Sequence, residues 1–286
     1  MDQLPSLDLF KLLRAPDATE ALVAESRLEA KARLRFAVAQ ALVQGRVLFH
    51  FQPVVQARNP REPAFFEMLA RMRMPNGELL SAGAFLPAVE AGPLGRAIDR
   101  LALAHALRAL KSDPALRLSV NMSPLSMGDE EWLDLFARAC REDAALLGRL
   151  ILEITENDAM QSVDQTIDFM AHVRATGVAF ALDDFGAGAT GFRYFRDFRF
   201  DMVKIDGAFV RGVHAQPDAQ VLVQALAGVA RHFEMLAVAE FVETEAEAGW
   251  LRGQGVDCLQ GHLFGRPAAR PELGPDAAET ARRAFG

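Results

Sequence analysis

Eight short apolar runs, most of them separated by stretches of helical periodicity, constrain this chain more than any other feature. The runs are 47–54, 64–70, 116–121, 150–154, 178–183, 202–205, 236–239 and 256–259. Most are continuously apolar rather than alternating, which suits strands covered on both faces. Between most of them, residues 84–110, 132–145, 162–176, 219–233 and 245–253 repeat apolar side chains at three- and four-residue steps. Strands alternating with helices make βαβ units, and eight strands argue for closure into an α/β, (β/α)8 TIM-like barrel. The link 56–63 is short, polar and proline-containing. It has no room for a crossover helix, so the first strand is expected to run antiparallel to the second. Ahead of them an amphipathic helix is expected over 26–44, with Leu28, Ala32, Phe36, Ala39 and Val43 as its apolar positions and Gly45 ending it. The expected division is an N-terminal helical extension 1–28, a barrel 29–270 and a C-terminal helical tail 271–286.

A length of 286 residues, about half of them apolar, fits one such barrel of about 250 residues with a short extension. The formal charge of −7, from 38 acidic and 31 basic residues, argues against a broad basic face for a nucleic-acid polymer. Cys140 and Cys258 lack zinc-type spacing, and a reduced, cytoplasmic setting is the simpler expectation. The start of the chain lacks the pattern of a signal peptide, and no apolar run is long enough to span a membrane.

Polar residues end these runs. Gln52 and Glu67 lie within the first two, and Asn121 closes the third. Glu153 then Glu156, Asp183 with Asp184, Lys204 then Asp206, Glu240 then Glu243, and Gln260 end the remaining five. In a (β/α)8 barrel the strand ends converge on one mouth, so the sequence aims carboxylates, amides and one amine at a single place. Two carboxylates about 4 Å apart repel by about 4 kcal/mol at an effective dielectric near 20. Either some are protonated or cations sit among them. Oxygen donors without a His or Cys cluster favour Mg²⁺ or Mn²⁺, and adjacent Asp183 and Asp184 suit two ions, the usual device for phosphodiester cleavage. A lone strand-end Asp or Glu is more often a helix cap, and Lys204 alone could be a plain ion-pair partner. Six strands ending alike are harder to dismiss. Gly186, Gly188 and Gly191 read as a turn. Phe192, Tyr194, Phe195 and Phe198 read as packing. Asp129, Glu130 and Glu131 read as a solvated first helical turn.

At these residues the chain resembles the EAL-domain cyclic-di-GMP phosphodiesterases, over about residues 30–268. The resemblance lies in Phe51-Gln52-Pro53-Val54, Glu67-Met68-Leu69-Ala70-Arg71, Val120-Asn121-Met122-Ser123, Leu152-Glu153-Ile154-Thr155-Glu156, Asp183-Asp184-Phe185-Gly186, Val203-Lys204-Ile205-Asp206, Ala239-Glu240-Phe241-Val242-Glu243-Thr244 and Gln260-Gly261, with Arg266-Pro267 closing. It implies that Glu67, Asn121, Glu153 and Asp183 hold one Mg²⁺ or Mn²⁺ and that Asp183 bridges to a second, shared with Asp184. Lys204 would stabilise the attacking water or the developing charge, and Glu240 would be a general base or a second-site ligand. Gln52, Leu69, Arg71, Glu243 and Gln260 would contact substrate or brace the ligands, and Glu156 would anchor the loop after Asp184. The implied reaction is hydrolysis of cyclic di-GMP to linear 5′-pGpG. The implied partners are cyclic di-GMP, a second copy through a barrel-to-barrel homodimer, and a regulatory protein.

Three departures stand out. Met68 replaces Ala and is tolerable if it packs inside the barrel. Phe241 replaces the usual Gly and would crowd the mouth. The loop 187–191 reads Ala187-Gly188-Ala189-Thr190-Gly191 where the family has Thr-Gly-aromatic-Ser-Ser. The altered loop motivates a second reading, an EAL-like receptor that holds cyclic di-GMP without cutting it. The retained carboxylates favour the enzyme. An unrelated barrel acting on another phosphate ester would require the motifs to be chance.

Overall fold

A computed structural model describes residues 16–186 and 197–272. One sheet contains β1 (Val47–Gln56), β2 (Asn59–Arg73), β3 (Leu79–Ser81), β4 (Leu118–Asn121), β5 (Leu150–Thr155), β6 (Ala179–Phe185), β7 (Met202–Ile205), β8 (Leu236–Ala239) and β9 (Cys258–Gln260). Its order is β1-β9-β8-β7-β6-β5-β4-β2-β3, and β1 also pairs with β2. That last pairing closes every strand but β3 into an eight-stranded barrel. β3 is a short ribbon on the edge of β2, unforeseen because three residues carry no usable periodicity.

Neighbouring strands from β2 through β4 to β9 run parallel, while β1 is antiparallel to both β2 and β9. The expected link 56–63 is mostly strand. Gln56 pairs with Asn59, so only Ala57 and Arg58 form the tip of a hairpin. Pro63 pairs with Val55 where the register slips, a place where a residue without an N–H costs the ladder least.

The main helices are α1 (Pro16–Val43), α2 (Pro93–Ser112), α3 (Glu130–Glu142), α4 (Glu156–Gln161), α5 (Val163–Arg174), α6 (Pro217–His232) and α7 (Glu245–Gly253). The helix expected over 84–110 is broken. A short turn, Ala82–Phe85, is separated from α2 by extended Gly92, because Pro93 disfavours helical geometry in the residue before it. α1 begins at Pro16, ten residues before the expected start at 26, with proline at the first helical position, where its missing N–H costs nothing. Its apolar stripe also lies on the other side from that expected. Val38 and Ala41 are buried, whereas Leu28, Phe36 and Val43 are exposed.

Two apolar layers hold the barrel. Outward-facing strand residues such as Phe66, Leu118, Leu152, Phe180 and Val203 meet Leu103, Trp132, Phe169, Val223 and Leu251 from the helices. Each large apolar side chain buried in this way contributes roughly 1.5–3 kcal/mol. Met68 belongs to this outer layer, not to the barrel interior as expected, because alternation along β2 turns it opposite to Glu67. Inside the barrel a smaller cluster of Val54, Phe65, Ile151, Ala181, Met202, Val238 and Cys258 forms a plug. No helix among the described residues is long and apolar enough to cross a membrane.

Candidate active site

Two residues along each of those strands, the interior changes character. Val54 gives way to Gln52, Phe65 to Glu67, Ile151 to Glu153, Ala181 to Asp183, Met202 to Lys204, Val238 to Glu240 and Cys258 to Gln260. A two-residue step preserves the inward face, so the polar set sits directly above the apolar plug. Register aligns it: Gln52 pairs with Glu67, Asn121 with Glu153, and Thr155 with Asp183.

Lys204 is the centre. It is fully buried, and its Nζ lies 2.8 Å from Glu153, 2.8 Å from Glu240, 3.2 Å from Glu67 and 3.1 Å from Asp183. Glu67 also accepts from Asn121 Nδ2 at 3.1 Å and from Gln260 Nε2. Gln260 reaches Gln52, which donates to the Gly265 carbonyl at 3.2 Å. Burial alone would raise the Glu67 pKa, but Lys204 and hydrogen bonds from Gln260 and Asn121 bring it below the usual carboxylate range. Glu153 goes the other way. Burial, opposed by Lys204 and reinforced by Glu67 and Asp183, pushes it up to about 8. Glu240 is raised well above a normal carboxylate for the same reasons, burial first. The four carboxylates hold Lys204 firmly protonated against its own burial.

Asp184 is brought to the mouth by a local irregularity. Adjacent strand residues should face opposite sides, but Asp184 has φ +56° and the β6–β7 register breaks between Leu182 and Phe185. Asp tolerates this left-handed geometry better than most residues. As a result Asp183, Asp184 and Glu240 offer oxygens within 4.8 Å of one another. Burial, then Asp183 and Asp206, push Asp184 up to about 6.

The arrangement fits divalent cations. One ammonium faces four carboxylates, and Glu153 Oε1 is buried with no hydrogen-bond partner. Without further positive charge, the protein keeps its excess negative charge down by holding carboxyls protonated. The donors are all oxygen, which favours Mg²⁺ or Mn²⁺.

Other expected site residues lie further out. Leu69 is half-buried on β2, and Arg71 beside it donates to the Ala70 carbonyl. Burial lowers the Arg71 pKa, with Glu67 opposing. Glu156 is buried and accepts from the Gly186 N–H at 3.0 Å, so it grips the start of the loop after β6. The altered stretch 187–191 and Phe192, Tyr194 and Phe195 lie outside the described residues. Phe198 is buried. Asp206 does not enter the mouth but caps the turn Gly207–Val210 through the Ala208 N–H. Glu243 is exposed on the rim. Phe241, next to Glu240, sits at the rim, half-exposed. It adopts φ +53°, the geometry for which Gly is suited, and its ring lies on Gly207 with the Arg211 guanidinium 4.8 Å from the ring centre.

Sequence reasoning missed a clamp behind Asn121. Asp99 on α2 accepts from the Ser123 N–H at 3.0 Å and the Ser126 hydroxyl at 2.6 Å. Arg96 and Arg100 on the same face hold Asp129, which is the N-cap of α3 rather than part of a solvated turn. The visible signal was the Arg96-x-x-Asp99-Arg100 spacing, three charges on one side of the first half of a helix whose other positions there are apolar or Gly. The Thr244–Glu247 capping box that starts α7 was equally legible, and its Glu247 also accepts from the Gly212 N–H at 2.7 Å.

The family model described as the EAL domain matches residues 35–267. The cyclic di-GMP phosphodiesterase PdeF of Escherichia coli is 29% identical over 251 residues, covering 86% of this chain and 33% of that protein. The cyclic di-GMP phosphodiesterase NbdA of Pseudomonas aeruginosa is 31% identical over 233 residues, covering 80% and 30%. The chain therefore spans about a third of the length of these relatives. Among solved structures, the PaMucR phosphodiesterase in complex with c-di-GMP matches with a TM-score of 0.74 and 30% identity, over 82% of this chain and 97% of that one. The FimX EAL domain from Pseudomonas aeruginosa bound to c-di-GMP matches with a TM-score of 0.75 and 23% identity, over 84% and 98%, a likeness of fold alone.

Proposed function

The chain belongs to the EAL-domain family, and we propose that it is a divalent-metal-dependent phosphodiesterase that opens cyclic di-GMP to linear 5′-pGpG. The observation that carries this reading is the buried Lys204 ringed by Glu67, Glu153, Asp183 and Glu240, with Asp184 turned toward the same mouth. Relatives bearing the phosphodiesterase name, and a solved phosphodiesterase bound to c-di-GMP, support the choice of substrate.

In this mechanism Glu67, Asn121, Glu153 and Asp183 would hold one Mg²⁺ or Mn²⁺, and Asp183 with Asp184 would hold a second, beside Glu240. Bound there, the ions supply Lewis acidity, make a nearby water more acidic and offset charge developing on the phosphoryl oxygens. Glu240, ionised once cations offset the crowding that otherwise favours its protonated form, would take the proton of the attacking water. The water oxygen bonds to phosphorus, the bond from phosphorus to the ribose 3′-oxygen breaks, and that oxygen takes a proton from solvent while Glu240 releases its own to solvent. Lys204 donates toward the developing negative charge from a site that excludes water. Gln52, Leu69, Arg71, Glu243 and Gln260 orient the substrate, and Glu156 fixes the loop that follows Asp184. The barrel 29–270 carries this activity, in the cytoplasm, with 1–28 and 271–286 as extensions that serve a second copy or a regulatory protein.

The test is turnover. Purified full chain is incubated with cyclic di-GMP and Mg²⁺ or Mn²⁺, and products are separated by chromatography. The reading expects pGpG from the native protein and none from Glu67→Ala. Tight binding without product would replace it with the receptor reading, which rests on the departures at 187–191.

A further inference from the structure

α1 carries apolar residues on two opposite sides. One side meets the barrel: Val38 and Ala41 are buried, and Leu34 and Leu42 pack against the outer core. On the other side Leu28, Phe36 and Val43 are 69%, 67% and 89% exposed. With Ala32 and Ala39 they form a stripe at 28, 32, 36, 39 and 43, whose later steps of four, three and four are those of a coiled-coil seam. Single exposed apolar residues need no explanation, but an aligned row on a helix already anchored by its opposite face does.

We infer that α1 pairs antiparallel with α1 of a second copy, the two helices crossing at Ala32. Three of the five stripe positions, Leu28, Ala32 and Phe36, are symmetric about that residue, and Ala39 and Val43 lie beyond this core of the contact. Leu28 lies four positions before Ala32 and Phe36 four after it. A two-fold axis at Ala32 therefore seats each Leu28 on the other copy's Phe36, the self-complementary contact that a closed dimer requires. The small Ala32 side chain lets the axes approach toward the short end of the ~8–10 Å range for packed helices.

Charge favours the same direction. Glu29 and Arg33 are exposed, one turn apart on the same flank of the stripe. In an antiparallel pair like flanks face each other, so each Glu29 meets the other copy's Arg33. A parallel pair stacks Phe36 on Phe36 and gives up that exchange. Arg35, on the other flank, is turned to the barrel with its guanidinium against Gly92.

The test uses the full chain and no turnover reading, so it stands or fails apart from the catalytic proposal. Sedimentation velocity over a range of concentrations should show a monomer–dimer equilibrium. The double variant Leu28→Glu with Phe36→Glu should raise the dimer dissociation constant at least tenfold, with an unchanged melting temperature. In a Cys140→Ser background, Ala32→Cys should form an inter-chain disulfide under mild oxidation and Val43→Cys should not. A native chain that stays monomeric, or a dimer indifferent to the double variant, overturns the inference. A cross-link at Val43 in place of Ala32 overturns the antiparallel arrangement.

Discussion

Two layers fill the same barrel one strand step apart, and they obey opposite rules. The lower, from Val54 to Cys258, is closed apolar packing that asks nothing of solvent or ligand. The upper crowds four carboxylates around Lys204 and leaves Glu153 Oε1 with no partner. The lower layer stabilises the fold and is indifferent to the chemistry. The upper layer is what the chemistry needs, and its stability depends on pH and on added cations. What separates the two is a shift of two residues along seven strands.

The comparison can be broken most severely at Lys204. Lys204→Met removes the only cation in contact with these carboxylates among the described residues. Breaking a buried ion network from one side costs about 3–5 kcal/mol, so the metal-free melting temperature should fall steeply and turnover should vanish. Calorimetry with and without Mn²⁺ checks both, and an unchanged metal-free melt would show that the ammonium does not hold the ring.

Next in size is Met202→Ala in the plug. A cavity there should cost about 2–5 kcal/mol in denaturant unfolding, while Mn²⁺ affinity and turnover per folded molecule stay within about twofold. Glu153→Gln should show the reverse: the metal-free fold is kept and turnover is lost. The pH dependence follows from sign. Glu153 titrates near 8 in the fold, above its unfolded value, so its contribution is present at acid pH and is lost as pH rises toward 8. Metal-free native protein should therefore melt lower as pH climbs through that window, and Glu153→Gln should flatten the slope.

A smaller effect is expected behind Asn121. Burial raises Asp99 to about 6 despite its bonds to Ser126 and Ser123. Its contribution is likewise present at low pH and lost as pH rises from about 4 through 6. Asp99→Asn keeps an acceptor for both donors, and melts from pH 4 to 7 should lose that decline.

The smallest concerns Phe241. Relief of a positive φ, worth about 1 kcal/mol, is offset by loss of its contact with Gly207 and Arg211. Phe241→Gly should change unfolding free energy by less than about 1 kcal/mol and turnover by less than twofold. A large gain in turnover would mean that the ring does obstruct the mouth.

Much of this was legible in the sequence for a physical reason. Strands buried on both faces must be continuously apolar, so the polar residues that end them stood out, and seven of those residues lie in one buried layer. α1 shows where legibility stops. Helical periodicity reveals that a stripe exists, but Leu34, Val38, Ala41 and Leu42 make a second stripe, and only the complementary surface of the barrel decides between them. The approach of Asp184 to the mouth needed one left-handed residue, which no spacing announces. The spacing of Arg96, Asp99 and Arg100 marked a charged face, but not what Asp99 holds, because its partners are a backbone N–H and a serine hydroxyl more than 20 residues away in sequence.

The direction of β1 has a mechanical consequence. In a barrel of uniformly parallel strands the chain enters at the floor, far from the chemistry. Here, of the eight strands that close the barrel, β1 alone descends from the mouth, with Val47 across from Met72, just past Leu69 and Arg71. Arg46 is bonded to the Arg73 carbonyl, and the Arg73 N–H returns to the Arg46 carbonyl. α1 ends only a few residues earlier. A force or a partner acting on α1 is therefore delivered at the rim of the mouth, without having to cross the apolar floor of the barrel.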